Sequence, residues 1–328
     1  MKKFLCALLA ITMLFSFVAC GSESKTDADK DDEKEETSQT EANNKDEEKE
    51  ETIQDTTAAN EDNEAENNTT PPAAELVFSF EETVIVDNDQ CSIKLTEIYE
   101  DDIWGYTIKA EIENKSPDKT YMFALDHSSI NGVEVSNLFA KEVAPGKKAN
   151  EEITLTDDIV KENGIKNYTD IALSFRVYDT NDWSADEVLE ETFHIYPYGE
   201  ANATKYTRAP QATDTVIVDN DDITIIVTGY GVDEIWGYEA NLYLVNKTDS
   251  TLMFNVEECS INGYMLDPFF ATSIYPNEAK FTEMNWSTED LEENSITEVE
   301  EIELTFEVTD YSDWSADDIY NEKVTLNP

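Results

Sequence analysis

The chain has 328 residues, with 74 acidic against 22 basic side chains, a formal net charge of −52 and an aromatic content of 10%. Charge of that sign and size excludes a nucleic-acid binder, the composition excludes a multi-span membrane protein, and the aromatic content argues against disorder throughout. The length is about twice that of a typical domain, which predicts two folded units.

The first element is a targeting segment. Lys2 and Lys3 precede an apolar run from Phe4 to Ala19, and an acidic tract follows it. A permanent membrane span needs about twenty apolar residues, so residues 1–19 read as a secretory signal. Phe17-Val18-Ala19-Cys20 resembles a bacterial lipobox, with Phe17 where leucine is usual. The resemblance implies cleavage before Cys20 and a diacylglyceryl thioether on its sulfur, with palmitate-type acyl chains as the membrane anchor. An ordinary secretory signal with an incidental cysteine is the alternative. Two or more acyl chains hold a protein stably where a single chain does not. The expected location is therefore the outer face of the bacterial cell membrane, with the membrane reached through the N-terminal lipid.

A tether follows over residues 20–74. From Gly21 to Ala74 it has no aromatic residue, one large aliphatic (Ile53), and 19 acidic against 5 basic side chains. Such a segment cannot bury enough apolar surface to offset chain entropy and is expected to be disordered. Its r.m.s. span as a flexible coil is roughly 40 Å, with a fully extended ceiling of about 190 Å.

The remainder is an internal repeat, with units at 75–198 and 214–328 joined by a linker over 199–213. Thr83-Val84-Ile85-Val86-Asp87-Asn88-Asp89 recurs as Thr215-Val216-Ile217-Val218-Asp219-Asn220-Asp221. The frame of 132 residues holds through Trp104-Gly105-Tyr106 and Trp236-Gly237-Tyr238, and through Asn114-Lys115 and Asn246-Lys247. One deletion later the frame is 131, matching Ser129-Ile130-Asn131-Gly132 to Ser260-Ile261-Asn262-Gly263 and Trp183-Ser184-Ala185-Asp186 to Trp314-Ser315-Ala316-Asp317.

Within each unit the patterning is that of strands. Tyr106, Ile108, Ala110 and Ile112 alternate with polar residues, as do Ile171, Leu173, Phe175 and Val177, and Ile302, Leu304, Phe306 and Val308. A period of two predicts one buried and one wet face. Asn131-Gly132 and Asn262-Gly263 predict tight hairpins, and Pro145-Gly146 and Pro276-Asn277 predict turns. Only Asp157–Asn163 and Thr288–Asn294 have helical character. Short strands in units of little over 100 residues predict an all-β fold of two tandem sandwiches. The succession D-N-D, W-G-Y, N-K, S-I-N-G and a Pro turn resembles the immunoglobulin-like domains of Gram-positive Firmicutes lipoproteins, and is similar to mycobacterial immunoprotein extracellular domains. The resemblance implies an Ig-like sandwich on the cell surface and carries over no catalytic residue.

Four residue types are candidates for chemistry. Cys91 and Cys259, one per unit, occupy non-corresponding positions, so neither unit has an internal disulfide; Cys91 is expected as a small buried hydrophobe, with an interdomain disulfide as the alternative. His127 and His194 are the only histidines and read as surface or packing residues, with no Ser-His-Asp set built in both copies. Asp87 and Asp89 match Asp219 and Asp221, and Asp179, Asp182 and Asp186 match Asp310, Asp313 and Asp317. Turn chemistry is the favoured reading of these aspartates, with calcium ligation as the alternative. Trp104, Trp236, Trp183 and Trp314 are expected as core plugs; exposed together on loops they would stack on sugar rings. Charges of −17 over residues 75–199 and −23 over residues 200–328 predict repulsion from anionic polymers and tolerance of cations and basic proteins. The expected role is non-catalytic binding or a structural envelope function, with a surface protein or glycan as partner. A cell-envelope hydrolase or a carbohydrate-binding accessory protein is the alternative, and a hydrolase would need a concave site at the domain junction.

Overall fold

The computed structural model describes residues 76–101, 105–182, 184–313 and 315–328. The signal, Cys20 and the tether lie outside the described residues, as do Trp104, Trp183 and Trp314. Pro71–Pro328 forms one compact body. No helix among the described residues is long and apolar enough to cross a membrane.

The first unit contains β1 (Thr83–Asp87), β2 (Cys91–Asp101), β3 (Gly105–Asn114), β4 (Tyr121–Ile130), β5 (Val133–Glu134), β6 (Ser136–Asn137), β7 (Ala140–Val143), β8 (Lys148–Thr156), the short helix α1 (Asp158–Glu162), β9 (Ile171–Asp179) and β10 (Leu189–Ile195). The second repeats the plan with β11 (Thr215–Asp219), β12 (Ile223–Asp233), β13 (Gly237–Asn246), β14 (Leu252–Ile261), β15 (Tyr264–Met265), β16 (Ala271–Ile274), β17 (Ala279–Trp286), α2 (Thr288–Glu293), β18 (Ile302–Asp310) and β19 (Tyr320–Leu326). Each unit is a sandwich around its own core: Ile93, Ile108, Phe123 and Phe175 are buried in the first, Ile225, Phe254, Phe306 and Trp286 in the second. The all-β expectation holds.

In the first sandwich, a sheet ordered β1-β2-β3-β8-β6 packs on one ordered β10-β9-β4-β5. In the second, β11-β12-β13-β17 packs on β15-β14-β18-β19. The two units are not strung as separate beads. Val133 of β5 pairs in parallel with Ala279 of β17, so one sheet of nine strands, β7 included, passes through both sandwiches.

Local chemistry explains the repeated residues. The Asn131-Gly132 and Asn262-Gly263 turns all have positive φ, at 52° and 74° and at 50° and 81°, closing two-residue hairpins as Asn-Gly favours. Even the irregularities repeat: ladder shifts at Val84/Val86 and Leu95/Glu97 recur at Val216/Val218 and Val227/Gly229. Gly237 sits at φ 88°, where a Cβ would come within 2.2 Å of the Trp286 carbonyl oxygen. No other residue fits there. The buried Asn246 amide donates to the carbonyls of Ser250 (2.7 Å) and Ile274 (2.9 Å), and its oxygen accepts from the Thr248 amide (2.9 Å). Asn114 does the same work in the first unit through Lys119 and Val143.

Two strands depart from their predicted alternation, β3 at the buried Thr107 and β9 over a longer stretch. β18 buries every second residue, whereas β9 also buries Ala172 and Ser174 on its expected wet face. The second unit covers that face, as described next.

Candidate functional site

Two cross-strand rows stand on the outer face of β4, β9 and β10: Ser129–Ala172–His194, and His127–Ser174–Thr192. The turn Tyr275–Glu278, which precedes β17 in the other unit, lies over them. Glu278 Oε1 accepts from Ser129 Oγ at 2.7 Å, and Glu278 Oε2 lies 2.6 Å from His127 Nε2. The carboxylate requires the hydrogen on Nε2. The His127 ring stacks on Tyr275 at 3.9 Å and 12°, and only 4% of the residue is exposed. Alongside, the Ala279 amide donates to the Gly132 carbonyl at 2.9 Å and Lys280 pairs with Glu134 at 2.5 Å. Burial and nearby carboxylates, Asp126, Glu134 and Glu278 among them, push the Tyr275 hydroxyl above its ordinary value.

The linker adds a third wall. The Tyr206 amide donates to the Asn131 carbonyl at 2.8 Å, and Arg208 forms a two-pronged pair with Asp214 at 2.6 and 2.8 Å. What the composition presents as a plain connector is packed against both units. Together the walls form a groove of about 530 Å³ lined by His127, Ser129, Ser174, Thr192, His194 and Glu278 among others. At its rim His194 Nδ1 lies 2.7 Å from Asp170 Oδ1. His127 is thus a packing residue of a particular kind, a cross-link between units, and the exposed Glu258 stands at its place in the second copy.

The repeated aspartates serve turns. Asn88 Oδ1 accepts from the amides of Gln90 and Cys91, both at 2.8 Å, and Asn220 Oδ1 accepts from those of Asp222 (2.9 Å) and Ile223 (2.8 Å). Lys115 bridges Asp87 and the Asn88 carbonyl, and Lys247 bridges Asp219 (2.6 Å) and the Asn220 carbonyl (2.5 Å). That is why D-N-D and N-K recur together. The ammonium of Lys247 and the hydroxyl of Thr224 hold the Asp219 carboxyl below its ordinary value.

In the late loops, Asp182 Oδ1 accepts from the Ser184 amide (3.1 Å) and hydroxyl (2.7 Å), Asp310 from those of Ser312 (2.8 and 2.7 Å), and Asp313 from those of Ser315 (3.0 and 2.6 Å). These bonds hold all three carboxyls below their usual range. Asp179 caps the Asn181 amide at 3.0 Å and meets Lys119 at 3.3 Å, while Asp186 and Asp317 are exposed. Among the described residues, no group of three or more His, Cys, Asp or Glu converges as a metal site.

Trp236 is not a core plug: it is 56% exposed. Asp233 Oδ1 accepts from the Ile235 and Trp236 amides, both at 2.7 Å, and so fixes the hairpin tip outward. The core position at this end belongs to Trp286, whose Nε1 donates to the Leu266 carbonyl at 3.1 Å. Trp236 instead pairs with exposed Phe269, ring centroids 6.2 Å apart and planes within 11°. Cys91 and Cys259 are buried free thiols; burial raises both, Cys259 to about 11. Neither is a reactive thiolate.

No protein-family model and no curated protein matches the chain. Among solved structures, the crystal structure of red sea bream transglutaminase aligns with 72% of this chain and 31% of that one, at 11% identity and a TM-score of 0.18. The chain thus spans less than a third of that protein's length, and so low a score carries no argument.

Proposed function

We propose that the protein is a lipid-anchored surface protein of a bacterial cell, displaying two joined immunoglobulin-like sandwiches for non-catalytic binding. The observation that carries this reading is the commitment of the junction's polar groups to one another. His127, Ser129 and Glu278, the set most like a catalytic one, cross-link the two units and hold them as one head. A rigid head on a long acidic tether suits presentation of a surface, because preorganised contacts bind without a further ordering cost. The strong negative charge favours a basic or neutral partner. Anchoring at Cys20 belongs to the same proposal.

The test is the intact mass and detergent partitioning of protein extracted from membranes. The expected chain begins at Cys20 and carries a diacylglyceryl group and an acyl chain, and Cys20→Ala moves the protein into the aqueous phase. An unmodified chain beginning elsewhere overturns the anchoring. Hydrolysis of an envelope polymer that is abolished by His127→Gln in a folded variant overturns the non-catalytic role.

A further inference from the structure

Each half of the joint has a repeat equivalent at a free end of the head. Along β4, Tyr121 pairs with Val143, just before a turn at 144–147, and at the other end Ile130 pairs with Val133, which meets the second unit. Along β14, Leu252 pairs with Ile274, just before the turn at 275–278 that makes the joint, and at the other end Ile261 pairs with Tyr264. The turn at 144–147 and β15 therefore lie on the sides of their units away from the joint. The repeat frame matches them to the turn at 275–278 and to β5.

Both are open where their equivalents are covered. Val133 is fully buried, whereas Tyr264 is 50% and Met265 69% exposed. β15 is the edge of its sheet, and an exposed apolar edge is a template for further pairing. Glu278 and Ala279 are withdrawn from solvent, whereas Lys147 and Lys148 at their places are exposed.

The residues that would meet have changed in compensating pairs. The joint sets His127 against Glu278; the free ends hold Glu258, with Glu257 beside it, and Lys147, opposite charges again with the sign reversed. The joint pairs Glu134 with Lys280; the free ends hold Met265 and Ala149, both apolar. The covered rows carry the small Ala172 and Ser174 beneath a turn that carries Tyr275 and Asn277. The open rows carry the larger Glu303 and Thr305, and the open turn carries the smaller Ala144 and Gly146. Ser129 and Gly132, which supply a donor and a carbonyl at the joint, recur unchanged as Ser260 and Gly263. Glu303 already has Lys323 at 3.3 Å, and Lys148 has Glu111 at 3.0 Å and Glu113 at 3.2 Å. The new ion pair therefore falls to Lys147 with Glu257 and Glu258.

We propose that the protein associates end to end, the β15 end of one copy receiving the turn at 144–147 of a second copy. Lys147 meets Glu257 and Glu258, Met265 lies against Ala149, and β15 pairs with the start of β8 as β5 pairs with β17. The sheet that runs through both sandwiches then continues into the next molecule. Such a contact joins unlike surfaces and leaves one of each open, so it builds rows of molecules instead of closed pairs. An exposed ion pair is weak in dilute solution, and the net negative charge opposes association. Copies held on one membrane meet at a high effective concentration. The inference deepens the display role by naming a second copy as a partner, and it rests on that reading for the membrane.

The test is carbodiimide cross-linking of the full-length protein in membranes, with half of the protein labelled with nitrogen-15. The reagent joins an amine to a carboxylate only where the two touch. A link from Lys147 to Glu257 or Glu258 is expected in peptides with one labelled and one unlabelled member, with a ladder of multimers that fades as salt rises. Lys147→Glu alone, and Glu257→Lys with Glu258→Lys alone, each reduce the ladder about tenfold or more, because like charges then meet. The two variants together restore it, since each turn again faces an opposite charge, and restoration excludes misfolding as the cause of the loss. Links confined to single chains, links from Lys147 or Glu258 to another protein, or a ladder unchanged by Lys147→Glu overturn the proposal. Detergent partitioning reads the anchor separately, so membrane-held protein without the link fails this inference alone.

Discussion

At the scale of single residues, the repeated signature is explained by backbone geometry and buried hydrogen bonds. Asn246 is fully buried and its amide serves several carbonyls across a corner. Asn246→Ala leaves those carbonyls without donors and is expected to cost about 2–4 kcal/mol in urea unfolding; a change under about 0.5 kcal/mol, the size of a neutral surface substitution, contradicts the assignment. Gly237→Ala must push a Cβ into the Trp286 carbonyl, whereas Gly263 has no atom within 4 Å of its Cβ position. The former is expected to destabilise far more, although both have positive φ. Glu283 yields a pH prediction. Its folded-state value is raised from the ordinary 4.5, so the folded state holds that proton more tightly than the unfolded chain. The resulting stability is full below pH 4.5 and is lost as pH rises through the folded value. Glu283→Gln should thus gain stability over wild type near neutrality, and the gap should close in acid. A gap that widens in acid contradicts the sign.

At the scale of elements, alternation made β3 and β18 legible, and Asn-Gly pairs marked the hairpins. β9 was legible as a strand but not in its second buried face, which meets Tyr275–Glu278, a turn about a hundred residues further on. Local periodicity holds no record of such a cover. The expectation for Trp236 failed differently. Trp236 and Trp286 carry the same apolar surface, and only the Asp233 turn decides which one points outward. In the late loops the Asp182, Asp310 and Asp313 carboxylates are satisfied by nearby backbone and hydroxyl donors. Millimolar calcium is therefore expected to leave the thermal midpoint of the full-length protein where EDTA leaves it. A specific site filled to a hundred times its dissociation constant would add about 2.7 kcal/mol and raise the midpoint by several degrees, which would assign the aspartates to metal instead.

At the scale of the whole molecule, the repeat showed that there are two sandwiches and could not show how they join. The joint combines residues the copies share, Ser129 and Gly132, with residues they do not. His127 faces Glu278 where the second copy has Glu258, and the linker's Tyr206 and Arg208 have no place inside either repeat. The measurement that tests this account most directly is calorimetry of the full-length protein beside Glu278→Ala. The wild type is expected to unfold in one transition whose calorimetric and van't Hoff enthalpies agree, and the variant, with His127 and Ser129 deprived of their shared acceptor, in two. Two separate transitions in the wild type, unchanged in Glu278→Ala, would contradict a single head built across the junction.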